Sequence, residues 1–236
     1  MAGQAAALGL PGMAVTEHLE WDPRSKAHGR FDYEAILSQV EQARAAHPAL
    51  KIWLSVEVGW DPRFADGIRE FLSSHRFDLV MGSLHAVEGK DVGPEFFKGL
   101  SLEEAGRRYF TAAALAVETR LFDVLAHADL PKRYGISYYH QAWDAAACQA
   151  ESEALCQALV ESGTLLEVNT SGLRQAPQET LPGPFMLACY RAAGGRRVTM
   201  GSDAHGVENV GFAFAKTAAE LQALGLTVMI EPRTRA

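Results

Sequence analysis

Short apolar and β-branched runs alternate along the chain with longer stretches in which apolar residues return at helical spacing. The short runs cover residues 13–16, 52–58, 78–84, 123–126, 164–168, 197–200 and 227–230, each of strand length. In the stretch 31–46, Phe31, Ala35, Val40 and Ala43 recur at helical intervals, and 102–121, 144–161, 184–193 and 207–224 read the same way. Gly9, Pro48, Gly163 and Gly225 stand at the joins, where helix stops are expected. Strand and helix in turn give an α/β fold built on a parallel sheet or a closed barrel. Residues 3–8 read as the last turns of a helix feeding the first strand, so the sheet is expected to open on an unpaired edge.

The chain has 236 residues, of which 48% are apolar, enough to bury one core, and a single domain over 1–236 is expected. It contains no apolar run of about 18 residues, and Met1 is followed by Ala, Gly and Gln rather than a basic leader. A soluble, cytoplasmic protein is expected. Cys148, Cys156 and Cys189 lack CxxC spacing and read as reduced core thiols. A net charge of −7 argues against a broad nucleic-acid face, and with no apolar span no membrane partner is expected. A small-molecule partner is expected, and self-association into a homo-oligomer is left open.

The chemistry gathers at the C-terminal ends of the predicted strands. In order these ends carry Glu17 with His18, then Glu57, His85, His127, Asn169, and Asp203 with His205. In a parallel barrel all such ends open on one face, so residues far apart in sequence converge. Imidazole and carboxylate without thiolate suit divalent zinc, iron or manganese, and a carboxylate such as Glu57 can bridge two ions. The reaction class this implies is metal-assisted hydrolysis. A lone strand-end His is more often a satisfied polar residue; it is the set that points to a metal site. His28, His47, His75 and His140 have no such placement and are given no role, and Asp22 and Asp61, each before a proline, read as turn residues. Lys132, Arg133 and Arg174 follow two of the strands and could hold a phosphate dianion from the rim.

Six segments also resemble the polymerase-and-histidinol-phosphatase (PHP) family, and most closely its stand-alone histidinol phosphatases. They are Thr16-Glu17-His18, Val56-Glu57-Val58, Gly82-Ser83-Leu84-His85, Ala126-His127-Ala128-Asp129-Leu130-Pro131-Lys132, Glu167-Val168-Asn169-Thr170-Ser171-Gly172-Leu173-Arg174 and Gly201-Ser202-Asp203-Ala204-His205. The resemblance implies a distorted (β/α)7 TIM-like barrel with up to three divalent ions, zinc, manganese or iron, at its mouth. It implies Glu57 bridging two ions, His85 and His127 completing one of them, Asp203 serving the first, and His18 with His205 serving the third. Glu57, Asp203 and His205 are then the expected catalytic residues, and Lys132 and Arg174 the expected phosphate contacts. The implied reaction is hydrolysis of L-histidinol phosphate to L-histidinol and phosphate, in histidine biosynthesis.

The family pattern opens with a strand ending in His-x-His, and this chain contains no His-x-His. A barrel missing that first strand is therefore expected, with a start assigned inside an internal helix as the favoured reason. Glu57, His85 and His127 remain as a complete set. Two alternatives stay open: the same site acting on another phosphomonoester such as a phosphotyrosine or a nucleotide, or a catalytically impaired metal-binding domain acting as a partner.

Overall fold

The structure is a computed structural model that describes residues 1–143 and 145–231. A short helix α1 (Ala2–Ala7) leads into β1 (Gly12–Leu19), and α2 (Tyr33–Ala46) into β2 (Lys51–Gly59). After α3 (Ala65–Ser74) and β3 (Leu79–Ser83), a two-stranded hairpin, β4 (Ala86–Val87) and β5 (Lys90–Asp91), leads into α4 (Pro94–Phe97) and α5 (Leu102–Glu118). Then come β6 (Val124–Leu125), α6 (Pro131–Tyr139), α7 (Gln149–Ser162), β7 (Leu165–Asn169), α8 (Pro184–Ala192), β8 (Arg197–Gly201), α9 (Phe214–Ala223) and β9 (Thr227–Val228).

Seven strands form one parallel sheet in the order β1-β2-β3-β6-β7-β8-β9, and each matches a strand expected from the sequence. β1 and β9 are its edges. The sheet is nevertheless curled, because Ala14 of β1 and Met229 just past β9 pack against one inner cluster of Leu79, Met81, Val124, Ala126 and Leu165. The outer face is covered by helices. The main cluster there joins Val56, Val58, Val80, Leu125, Leu166 and Val198 to the apolar face of α5, where Tyr109, Phe110, Ala113, Ala116 and Val117 are buried. Side-chain caps set two of the helix starts: Asp32 accepts from the Ala35 amide before α2, and Ser101 from the Glu104 amide before α5.

Two aspartates pin the strand register by the same device. The Asp78 amide donates to the Leu54 carbonyl (2.8 Å) while its Oδ2 accepts from the Leu54 amide (2.8 Å). One strand further on, Asp123 does the same to Val80, again at 2.8 Å in both directions. Because strand side chains alternate, a one-residue slip would turn the inner face outward, so these brackets hold the side chains described below on the inside.

The helical reading needs adjustment in several places. Segment 207–224 is a 3-10 turn at Val207–Asn209 followed by α9; the positive φ of Gly211 and Ala213 interrupts one continuous helix. Segment 144–161 begins with a 3-10 turn, Ala145–Cys148, and only then becomes α7, while Asp144 lies outside the described residues. The pattern gives no helix at α4 or α6 and no hairpin, whereas the end of α3 at His75 falls where a helix end is expected. α6 carries Gly135 and three tyrosines, a composition of low helix propensity that packing overrides. Asp22 and Asp61 are more than turn residues: Arg63 bridges both (2.8 and 2.5 Å) and Arg24 holds Asp22 (2.6 Å), which ties the loops after β1 and β2 together. No described helix is long and apolar enough to cross a membrane.

Replacing Asp123 with Ala strands the amide of buried Val80. The expected loss is about 1–3 kcal/mol, read as a lowered urea midpoint at unchanged m-value; an unchanged midpoint would show that the bracket does not hold the register.

Candidate metal centre

His18 and Glu57 are direct neighbours in register across β1 and β2. His85 lies two residues beyond β3 and His127 two beyond β6, so four strands deliver their ends to one place. Glu57 is the focus. Its Oε1 lies 3.0 Å from His127 Nε2 and 3.2 Å from His85 Nε2, and its Oε2 is 3.7 Å from His18 Nδ1. The imidazoles form a row, with ring centroids 5.1 Å apart for His18 and His85 and 5.4 Å for His85 and His127.

The electrostatics follow from burial and pairing. Burial by itself would raise the Glu57 carboxyl, but the hydrogen bonds from His127 and His85 outweigh it and hold the group well below its usual range. His85 is drawn down by burial, yet its bonds to Glu20 and Glu57 dominate and set it at about 10. Glu167, on β7, feels the charge of His127, which lowers it, but burial outweighs that. Burial pushes it up to about 7 although the His127 amide donates to its Oε2 (2.8 Å). Gly201 makes room for it, since a Cβ there would lie 1.9 Å from Glu167 Oε1. His127 itself has φ 28° and Asp203 φ 48°, a left-handed region that such residues occupy only when their surroundings hold them there.

Asp203 and His205 stand to one side of this group. Arg133 Nη2 donates to Asp203 Oδ2 (2.9 Å), as does Ser171 Oγ (3.3 Å). Burial would raise Asp203, but the Arg133 guanidinium keeps it below the usual carboxylate range. His205 is 75% exposed, 3.4 Å from Asp203 Oδ1, with its ring 6.2 Å from that of His18. Asn169, at the one predicted strand end without a His or carboxylate, caps the turn Thr170–Arg174 by accepting from the Ser171 amide (2.9 Å). Glu17 is exposed.

The two expected phosphate contacts are already engaged. Lys132 is not on a loop but in the first turn of α6, 2% exposed, with Nζ 2.8 Å from both Asp129 and Glu179 and 3.0 Å from the Thr180 carbonyl. Arg174 donates through Nη2 to the carbonyls of Ser202 (2.8 Å) and Asp203 (3.0 Å) and lies 5.4 Å over the Phe212 ring, so it fixes the backbone that carries Asp203. Arg133, one residue past Lys132, is in direct contact with the candidate ligand Asp203.

Among the described residues, two sets have ligand atoms within 4.8 Å of one another: Glu57, His85 and His127, and His18, Glu20 and His85. The first set fits a divalent cation, because two imidazole Nε2 atoms meet on one ionised carboxylate oxygen, the mixed N and O donors that zinc accepts. Glu20 was missed from sequence. It stands just past the end of β1, two residues after His18, and only its contact with His85 marks it.

The chain is similar to several known proteins. A family model described as PHP domain matches residues 1–171. A probable histidinol-phosphatase of Deinococcus radiodurans is 30% identical over 233 residues, spanning 92% of this chain and 83% of the relative. The histidinol-phosphatase of Lactococcus lactis is 30% identical over 159 residues, 66% of this chain and 58% of that one. The crystal structure of histidinol phosphate phosphatase from Lactococcus lactis complexed with zinc, L-histidinol and phosphate superposes with a TM-score of 0.85 at 23% identity, covering 98% of this chain and 90% of that one. At that identity the superposition speaks for the fold.

Replacing Lys132 with Ala leaves buried Asp129 without its cation, and a destabilisation of about 3–5 kcal/mol is expected. Guanidinium denaturation of the variant checks this; a stability equal to the parent's would free Lys132 for a role in substrate binding.

Proposed function

The chain belongs to the PHP family, and from that membership we propose that it is a metal-dependent phosphomonoesterase that hydrolyses L-histidinol phosphate to L-histidinol and inorganic phosphate. The observation that carries the reading is the meeting of His85 and His127 on Glu57. The names of the relatives from Deinococcus radiodurans and Lactococcus lactis support the substrate. The reading takes 1–236 as one phosphoesterase domain.

Glu57, His85 and His127 would hold a divalent cation, zinc by the donor set, with manganese or iron as substitutes. Such a cation supplies Lewis-acid stabilisation of charge on the phosphoryl oxygens and acidifies water. Asp203, kept ionised by Arg133, offers a further carboxylate, and His18 with His205 extends the donor row toward the rim, up to a three-ion site. Glu57, Asp203 and His205 remain the catalytic candidates. Arg174 holds the Ser202–Asp203 backbone, while Arg133 places a guanidinium at the same edge, where a phosphate dianion would gain charge-assisted hydrogen bonds. Lys132 supports the site from beneath through its pairs with Asp129 and Glu179.

The direct test is phosphate release from L-histidinol phosphate by the protein loaded with zinc or manganese, with a phosphotyrosine and a nucleoside monophosphate as comparators. Release is expected to be fastest from histidinol phosphate, to stop with a chelator and to return with metal. Faster release from either comparator would overturn the substrate. In a His127→Ala variant, bound metal and rate should fall together, the rate by more than about 100-fold, since even groups that only orient a ligand are worth 10–100-fold; full metal content by elemental analysis would remove His127 from the site.

A further inference from the structure

Glu20 is a carboxylate at the mouth that the proposed mechanism does not use. It follows β1 directly, and its Oε1 lies 2.6 Å from His85 Nδ1. Its side chain is only 10% exposed. The carboxylate lies flat against Gly59, the last residue of β2: a Cβ at Gly59 would fall 2.0 Å from Oε2, 2.4 Å from Cδ and 2.5 Å from Oε1. The slot exists only because that position has no side chain. Its backbone neighbour contact is also fixed, since His28 Nδ1 lies 3.1 Å from the Glu20 carbonyl.

An imidazole whose Nδ1–H is held by a carboxylate offers its Nε2 lone pair once a cation takes the place of the Nε2 proton, and His85 Nε2 is the atom that faces Glu57. The other imidazole on Glu57 lacks this support, because Nδ1 of His127 is buried with no hydrogen-bond partner. Ser83 Oγ, 3.3 Å from His85 Nδ1, already donates to the Val58 carbonyl (3.1 Å) and leaves Glu20 as the anionic acceptor.

We propose that Glu20, seated in the slot left open by Gly59, is the positioning residue of the metal centre: it fixes the orientation and tautomer of His85 so that Nε2 is turned to the cation beside Glu57. The proposal rests on the reading that Glu57, His85 and His127 hold that cation. Glu20 acts through His85 and not as a ligand, although His18, Glu20 and His85 lie close enough to share an ion. The hydrogen bond to Glu20 occupies the Nδ1 atom that such a second ion would need.

The experiment measures zinc affinity and stoichiometry of the full chain by competition with a chromophoric chelator, for the parent and for Glu20→Ala, Glu20→Gln and Gly59→Ala. Glu20→Ala should bind zinc about 10–100-fold more weakly with unchanged stoichiometry. Glu20→Gln, which keeps an acceptor without the charge, should recover part of that loss. Gly59→Ala, which touches no ligand, should behave like Glu20→Ala, and the unfolding temperature of each metal-free variant shows that it is folded; the Glu20 pair decides the matter if Gly59→Ala is not. Zinc affinity equal to the parent's in Glu20→Ala would overturn the proposal, and so would a stoichiometry lowered by one ion, which would make Glu20 a ligand. A parent that binds no zinc would instead sink the metal-site reading and this inference with it.

Discussion

A single buried carboxylate organises the mouth of this sheet. Glu57 needs positive partners once it is removed from water, because an isolated buried anion is costly. The fold supplies them from separate strands, with His18 in register beside it and His85 and His127 arriving from β3 and β6. Each partner depends on strand register. The Asp78 and Asp123 brackets, far from the mouth in chemistry but one or two strands away in space, therefore bear on the site as much as on stability.

The same dependence explains why polar side chains crowd one end of an otherwise apolar sheet. Below the mouth, the inner face is closed by Leu79, Met81, Val124, Ala126 and Leu165. Above it lie buried Glu57, His127, Asp129, Lys132, Glu167 and Asn169. Most of these are bonded in pairs or chains: Lys132 to Asp129, Asn169 to Glu167, Glu167 to the His127 amide. The positive φ of His127 and Asp203 places two of the strained residues in this layer, where the packed polar network holds them.

Much of this was legible in the sequence, and the reasons are local. Strand periodicity and glycine punctuation located all seven parallel strands, because each strand is short, apolar and bounded by turn residues. Reading to the strand ends found His18, Glu57, His85, His127 and Asp203. What the sequence hid depends on three-dimensional proximity. Lys132 reads as a rim cation until Glu179, 47 positions away, is seen beside it. Arg133 reads equally as a rim cation or as surface until Asp203, 70 positions away, reaches it. Glu20 draws no attention until Gly59 is seen to leave it a slot. α6 stayed hidden because its glycine and tyrosines favour no helix, and only burial of Pro131, Lys132 and Gly135 makes it one.

The central claim is that Glu57, His85 and His127 bind one cation together. An anomalous difference map from crystals grown with zinc, recorded at the zinc edge, tests it most directly. The account predicts a peak within bonding distance of the Glu57 carboxylate and of both Nε2 atoms. Zinc bound elsewhere, with these three side chains turned away from one another, would contradict it.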